Sequence, residues 1–115
     1  EGGAVIAKAI ALLLAISVGD PAPMQCNVGP VARELGGSNW TVLSCSDGRS
    51  MVVVSAQGNP AGPFVFFLKP RPDGGYAISG EGNGDKAASD AALEALTHYT
   101  TDDFAALLAE TKAAH

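Results

Sequence analysis

Between residues 39 and 80 β-branched and aromatic residues gather in short apolar runs separated by Gly, Pro, Asn and Asp, and beyond residue 85 apolar side chains recur every three to four. The first pattern belongs to strands joined by turns, the second to a helix with one buried stripe. The runs NWTVLSCS (39–46) and SMVVVSAQ (50–57) flank Asp47-Gly48, a pair suited to a tight hairpin turn. Strand geometry points Trp40, Val42 and Ser44 one way and Thr41, Leu43 and Cys45 the other. GNPAGP (58–63) then leads into FVFFLK (64–69), and Pro70, Pro72, Asp73 and Gly74-Gly75 turn the chain into YAISG (76–80). This second hairpin completes a four-stranded antiparallel meander. Phe64, Phe66 and Leu68 share one face of it, with Val65 and Phe67 on the other.

Upstream, residues 19–29 read as an extended lead-in punctuated by Pro21, Pro23 and Gly29. Pro30 is placed to open a short helix through Leu35, which Gly36-Gly37 would end. Two helices close the chain. The first runs from about Asp85 to Tyr99, with Ala88, Ala92, Leu96 and Tyr99 on one face and Lys86, Asp90, Glu94 and His98 on the solvated one. The second starts at Thr100, which has capping-box spacing with Asp103, and buries Phe104, Leu107 and Leu108. The expected fold is therefore α+β: a four-stranded antiparallel meander packed against two C-terminal helices, which cover one sheet face.

Residues 4–18, AVIAKAIALLLAISV, carry a single charge at Lys8 and fall short of the ~20 apolar residues that span a bilayer. They match an export signal, with Lys8 as the positive flank and Ala15-Ile16-Ser17 as a small-x-small cleavage site. The alternative is an apolar N-terminal helix retained against the domain or in a homodimer interface. On either reading residues 1–18 stand apart from a single α+β domain over residues 19–115. Cys26 and Cys45 are the only cysteines, and behind an export signal an even count reads as a disulfide. The chain is 115 residues long with a net charge of -5, and no two basic residues are adjacent, which argues against a nucleic-acid binder.

Three features carry candidate chemistry. Gly80-Glu81-Gly82-Asn83-Gly84-Asp85-Lys86 is a glycine-rich bridge into a helix, but it lacks both the dinucleotide-binding and the P-loop spacing. Glu81, Asn83 and Asp85 alternate like calcium ligands, yet Lys86 and Ala92 stand where such a loop needs Gly and Glu. A turn followed by an Asp85 cap is the expected role. His98 is the one histidine inside the domain, and Ser79 and Asp85 are its conceivable partners, although no nucleophile elbow surrounds any serine. Trp40, Phe64 and Phe66 fit either the core or a contact surface for a ligand or partner. The sheet face carrying Phe67 and Val65 is apolar enough to need a cover as well, from the N-terminal segment or from a partner.

The stretch WTVLSCSDG (40–48) resembles the cysteine-and-turn strand pattern of small periplasmic lysozyme inhibitors. That likeness spans under a tenth of the chain and transfers no residue role. The sequence thus leads to a small periplasmic or secreted domain that binds a partner protein or small ligand without catalysis, cofactor or metal. Two other expectations stand beside it: a small hydrolase or lyase using His98, and a cytoplasmic dimeric interaction domain built on the N-terminal helix.

Overall fold

The structure, a computed structural model, describes residues 23–115; the apolar segment 4–18 lies outside them. Five strands form one antiparallel sheet in chain order: β1 (Val28–Leu35), β2 (Ser38–Ser44), β3 (Met51–Ser55), β4 (Phe64–Pro70) and β5 (Tyr76–Gly82). Helices α1 (Lys86–Thr97) and α2 (Thr101–Ala113) follow. The class is α+β, with five strands where the sequence pattern gave four.

The added strand is β1, and it corrects the short helix expected after Pro30. VGPVAREL alternates, with Val31, Arg33 and Leu35 turned inward, and pairs with β2 from Leu35 opposite Ser38 to Val31 opposite Val42. A five-residue helix has too few hydrogen bonds to offset its nucleation cost, whereas pairing with β2 satisfies the backbone throughout. Gly36 and Gly37 both have positive φ, +61° and +89°, as a two-residue primed hairpin turn requires. Gly36 is constrained twice: a Cβ there would come within 2.4 Å of the Ala91 backbone, because α1 packs directly on the turn.

The inner sheet face contributes Leu35, Trp40, Val42, Met51, Val53, Phe66 and Leu68 to the core, and the helices contribute Ala92, Leu96, Phe104 and Leu107. The alanines of α1 and α2 bring the helices close to the sheet. Trp40 is 1% exposed; its ring meets Phe66 at 5.2 Å and Phe64 edge-on at 6.2 Å. Its indole N–H donates to Ser38 Oγ at 2.9 Å, so this large side chain leaves no polar atom unpaired. Both helix starts are capped as expected. The Asp85 carboxylate accepts from Ala87 N at 3.0 Å, and Thr100 and Asp103 form a reciprocal capping box. Arg33 of β1 forms an ion pair with Glu110 of α2.

One polar pair is wholly buried between sheet and helix. Thr111 Oγ1 lies 2.7 Å from Ser44 Oγ and 2.6 Å from the Leu108 carbonyl. A carbonyl only accepts, so the single Thr111 proton goes to Leu108, and Ser44 donates its own to Thr111. That direction sets the costs apart. Thr111→Val leaves the Ser44 hydroxyl buried without an acceptor and is expected to cost about 1–3 kcal/mol. Ser44→Ala leaves Thr111 bonded to Leu108 and is expected to cost less. Denaturant unfolding of both variants checks the order; equal losses would contradict this assignment of the protons.

Candidate functional site

Period-two alternation places half of every strand on the face away from the helices. Strand register assembles those residues into two rows across the sheet. One runs Leu43–Val52–Phe67–Ser79, the other Ala32–Thr41–Val54–Val65–Glu81, each neighbour directly opposite the next. The middle of both rows is apolar. Phe67 is 41% exposed, and Leu43, Val52, Val54 and Val65 are half-buried. A solvated sheet face ordinarily carries polar residues at these positions. Glu34, Lys69 and Glu81 provide a charged fringe.

The Cys26–Cys45 disulfide shapes one end of this face. It ties the segment before β1 to the end of β2, where Ser46 N donates to the Gln25 carbonyl at 2.6 Å and Gln25 N to Ser46 Oγ at 3.2 Å. Met24, 56% exposed, is thereby held beside Phe67 and Val52. These residues, with Cys45, Lys69 and Pro70, line a largely apolar groove of about 370 Å³. The following turn is fixed by Asp47, whose carboxylate accepts from Arg49 N, Ser50 N and Ser50 Oγ at 3.0, 2.8 and 2.6 Å. Partial burial pushes the Asp47 carboxyl up, but the Ser50 hydroxyl, the two backbone amides and the Arg49 charge outweigh it and hold the group below its ordinary range. Across the turn, burial pushes the Tyr76 phenol up, and its hydroxyl donates to the Arg49 carbonyl at 2.6 Å.

The residues singled out in the sequence are scattered. Trp40 and Phe66 are 1% and 2% exposed and belong to the core, so neither offers a contact surface; Phe64 is half-buried against both. Phe67, which follows Phe66 on β4 and points to the other face, holds the exposed position instead. Glu81 and Asn83 are exposed, but Gly80 and Gly82 belong to β5 rather than to a phosphate-cradling loop. These glycines leave room for aromatic rings: a Cβ on Gly80 would come within 2.7 Å of Phe64 Cε1. Asp85 is occupied as the α1 cap, and Lys86 pairs with Asp90 at 2.8 Å. His98 lies exposed at the other end of α1, its Nδ1 2.9 Å from the Glu94 carbonyl oxygen. A helix of that length separates it from Asp85 by about 20 Å. Ser79 is on the outer face, away from the helices. These three do not assemble into a catalytic set. No group of three His, Cys, Asp or Glu side chains converges among the described residues. Nor is any described helix long and apolar enough to cross a membrane.

A second hollow, about 610 Å³, opens between β5 and the α1–α2 junction over Tyr76, Ile78, Leu96, Tyr99 and Phe104. Its walls are as polar as apolar, and the charged groups at its rim, Arg71 and Asp73, pair with each other at 3.5 Å. Compared with known proteins, the chain matches no family model, no curated protein and no solved structure.

Two predictions concern the covalent end of the site. Replacing Cys26 and Cys45 by serine is expected to lower stability by about 3 kcal/mol, from the 18-residue loop it leaves unclosed, and to expose Met24 further. Chemical unfolding and limited proteolysis near Met24 check both. Asp47 has its pKa depressed by folding, so the stability it adds is present above its unfolded value near 3.8 and is lost as pH falls through the lower folded value. Wild type should therefore lose more melting temperature than Asp47→Asn between pH 6 and pH 3. Identical losses would show that the Asp47 turn contributes nothing through its charge.

Proposed function

We propose that this protein is a small exported, disulfide-bonded domain that binds a partner protein through the outer face of its sheet and catalyses no reaction. The observation that carries this reading is the apolar face itself. Leu43, Val52, Val54, Val65 and Phe67 form one contiguous patch with a groove at its end, and no described segment covers it. Soluble monomers rarely leave such a patch without use, since its exposure favours association. A face of this kind, with a large aromatic at its centre and charged residues around it, has the layout of a protein contact surface. The groove at Met24 offers a socket for one apolar anchor side chain.

The export half of the reading rests on the signal-like residues 4–18 and is supported by the disulfide, which is compatible with an oxidising compartment. The dispersal of Ser79, Asp85 and His98 removes the support for a hydrolase or lyase.

A photo-crosslinking amino acid placed at Phe67, in cells that make the protein natively, tests this. It is expected to yield a discrete adduct of higher mass. The same group at exposed Asp102, on α2, is expected to yield none. Absence of an adduct from position 67, or equal adducts from both, would overturn the proposal.

A further inference from the structure

The two edges of the sheet are built differently. β1 carries Pro30, which has no N–H to offer, and a register shift between Val28 and Val31; both devices keep a foreign strand from pairing. β5 has neither. Its sequence YAISGEG contains no proline and no lysine, and every residue from Ser79 to Gly82 is exposed.

The ladder to β4 shows which groups the β5 edge offers. Asn83 N donates to the Pro63 carbonyl at 3.2 Å and Arg71 N to the Gly75 carbonyl at 2.8 Å. Stepping by two between those ends, Ala77, Ser79 and Glu81 are the residues that exchange hydrogen bonds with β4. Tyr76, Ile78, Gly80 and Gly82 therefore turn their N–H and C=O groups outward. Among the described residues no other backbone segment pairs with them.

We propose that this edge is an interface with a second copy of the chain, β5 pairing antiparallel with β5 of the partner about a two-fold axis through Ser79. Parity admits only registers that place even-numbered residues opposite even-numbered ones. The register centred on Ser79 is the one that pairs all seven residues. It sets Ile78 opposite Gly80 and Tyr76 opposite Gly82, a large side chain facing a vacancy each time. Glu81 falls opposite Ala77 and avoids its own copy, which a register centred on Glu81 would not. About eight backbone hydrogen bonds form across the axis. The two sheets become one of ten strands, and both apolar outer faces lie on the same side. This interface is independent of the partner surface proposed above, because it uses the edge of β5 and leaves Phe67 uncovered.

Sedimentation equilibrium of the full chain, with hydrogen exchange, tests the proposal. Wild type is expected to dimerise reversibly, with slow exchange at Ile78, Gly80 and Gly82. Ser79→Lys places two like charges opposite each other on an exposed position and is expected to weaken the dimer about tenfold, more at low salt. Ala77→Lys faces Glu81 of the other copy and is expected to leave the dimer intact or tighten it. A monomeric wild type, a Ser79→Lys dimer of unchanged strength, or a dimer whose β5 amides exchange freely would each overturn the proposal. The last outcome would assign association to another surface, such as the outer face.

Discussion

Only one side of this sheet can be buried by the two helices that follow it, and the rest of the structure answers to that constraint. α1 and α2 lie over the inner face, where Trp40, Val42, Val53, Phe66 and Leu68 exclude water with Leu96, Phe104 and Leu107. Because strand side chains alternate, fixing that face fixes the other, and a shift by one residue would exchange them. The buried Ser44–Thr111 pair favours the observed register over its neighbours, since a slip by one residue would turn Ser44 away from its acceptor on α2. What remains outside is a face whose central residues are apolar although water reaches it.

The disulfide acts on that outer face more than on the core. By tying Cys26 to Cys45 it draws the segment before β1 against the end of β2, and so holds Met24 beside Phe67. The Asp47 turn, tied down by its own carboxylate and by Tyr76, supports the same corner. A binding face benefits from such fixed walls, because groups already ordered lose less freedom when a partner arrives.

Much of the fold was legible in the chain. The alternation in β2, β3 and β4 told which side chains share a face, and the caps at Asp85 and Thr100 marked both helix starts. β1 is ambiguous in the sequence because Pro30 and Gly36-Gly37 are punctuation marks with two meanings: a helix start and stop, or an edge strand and a primed turn. Helix length decides between them, since five residues are too few. The glycines at 80 and 82 suggested a loop; what they accommodate is Phe64 and Phe66 on the adjoining strand, a relation no local window contains. The candidate surface was partly legible. Val65 and Phe67 stood opposite Phe64 and Phe66 by simple alternation, but which of the two sets the helices would cover depends on long-range packing. Met24 had no local signal, for its position is set by a crosslink between cysteines 19 residues apart.

The proposed export and the proposed binding face both depend on compartment, with which the disulfide is compatible. The direct measurement is the intact mass of the protein purified from its own cells, taken before and after reduction. The account predicts a chain that has lost the residues before about Val18 and gains two hydrogens on reduction. A chain that retains residues 1–18 and carries two free thiols would contradict it.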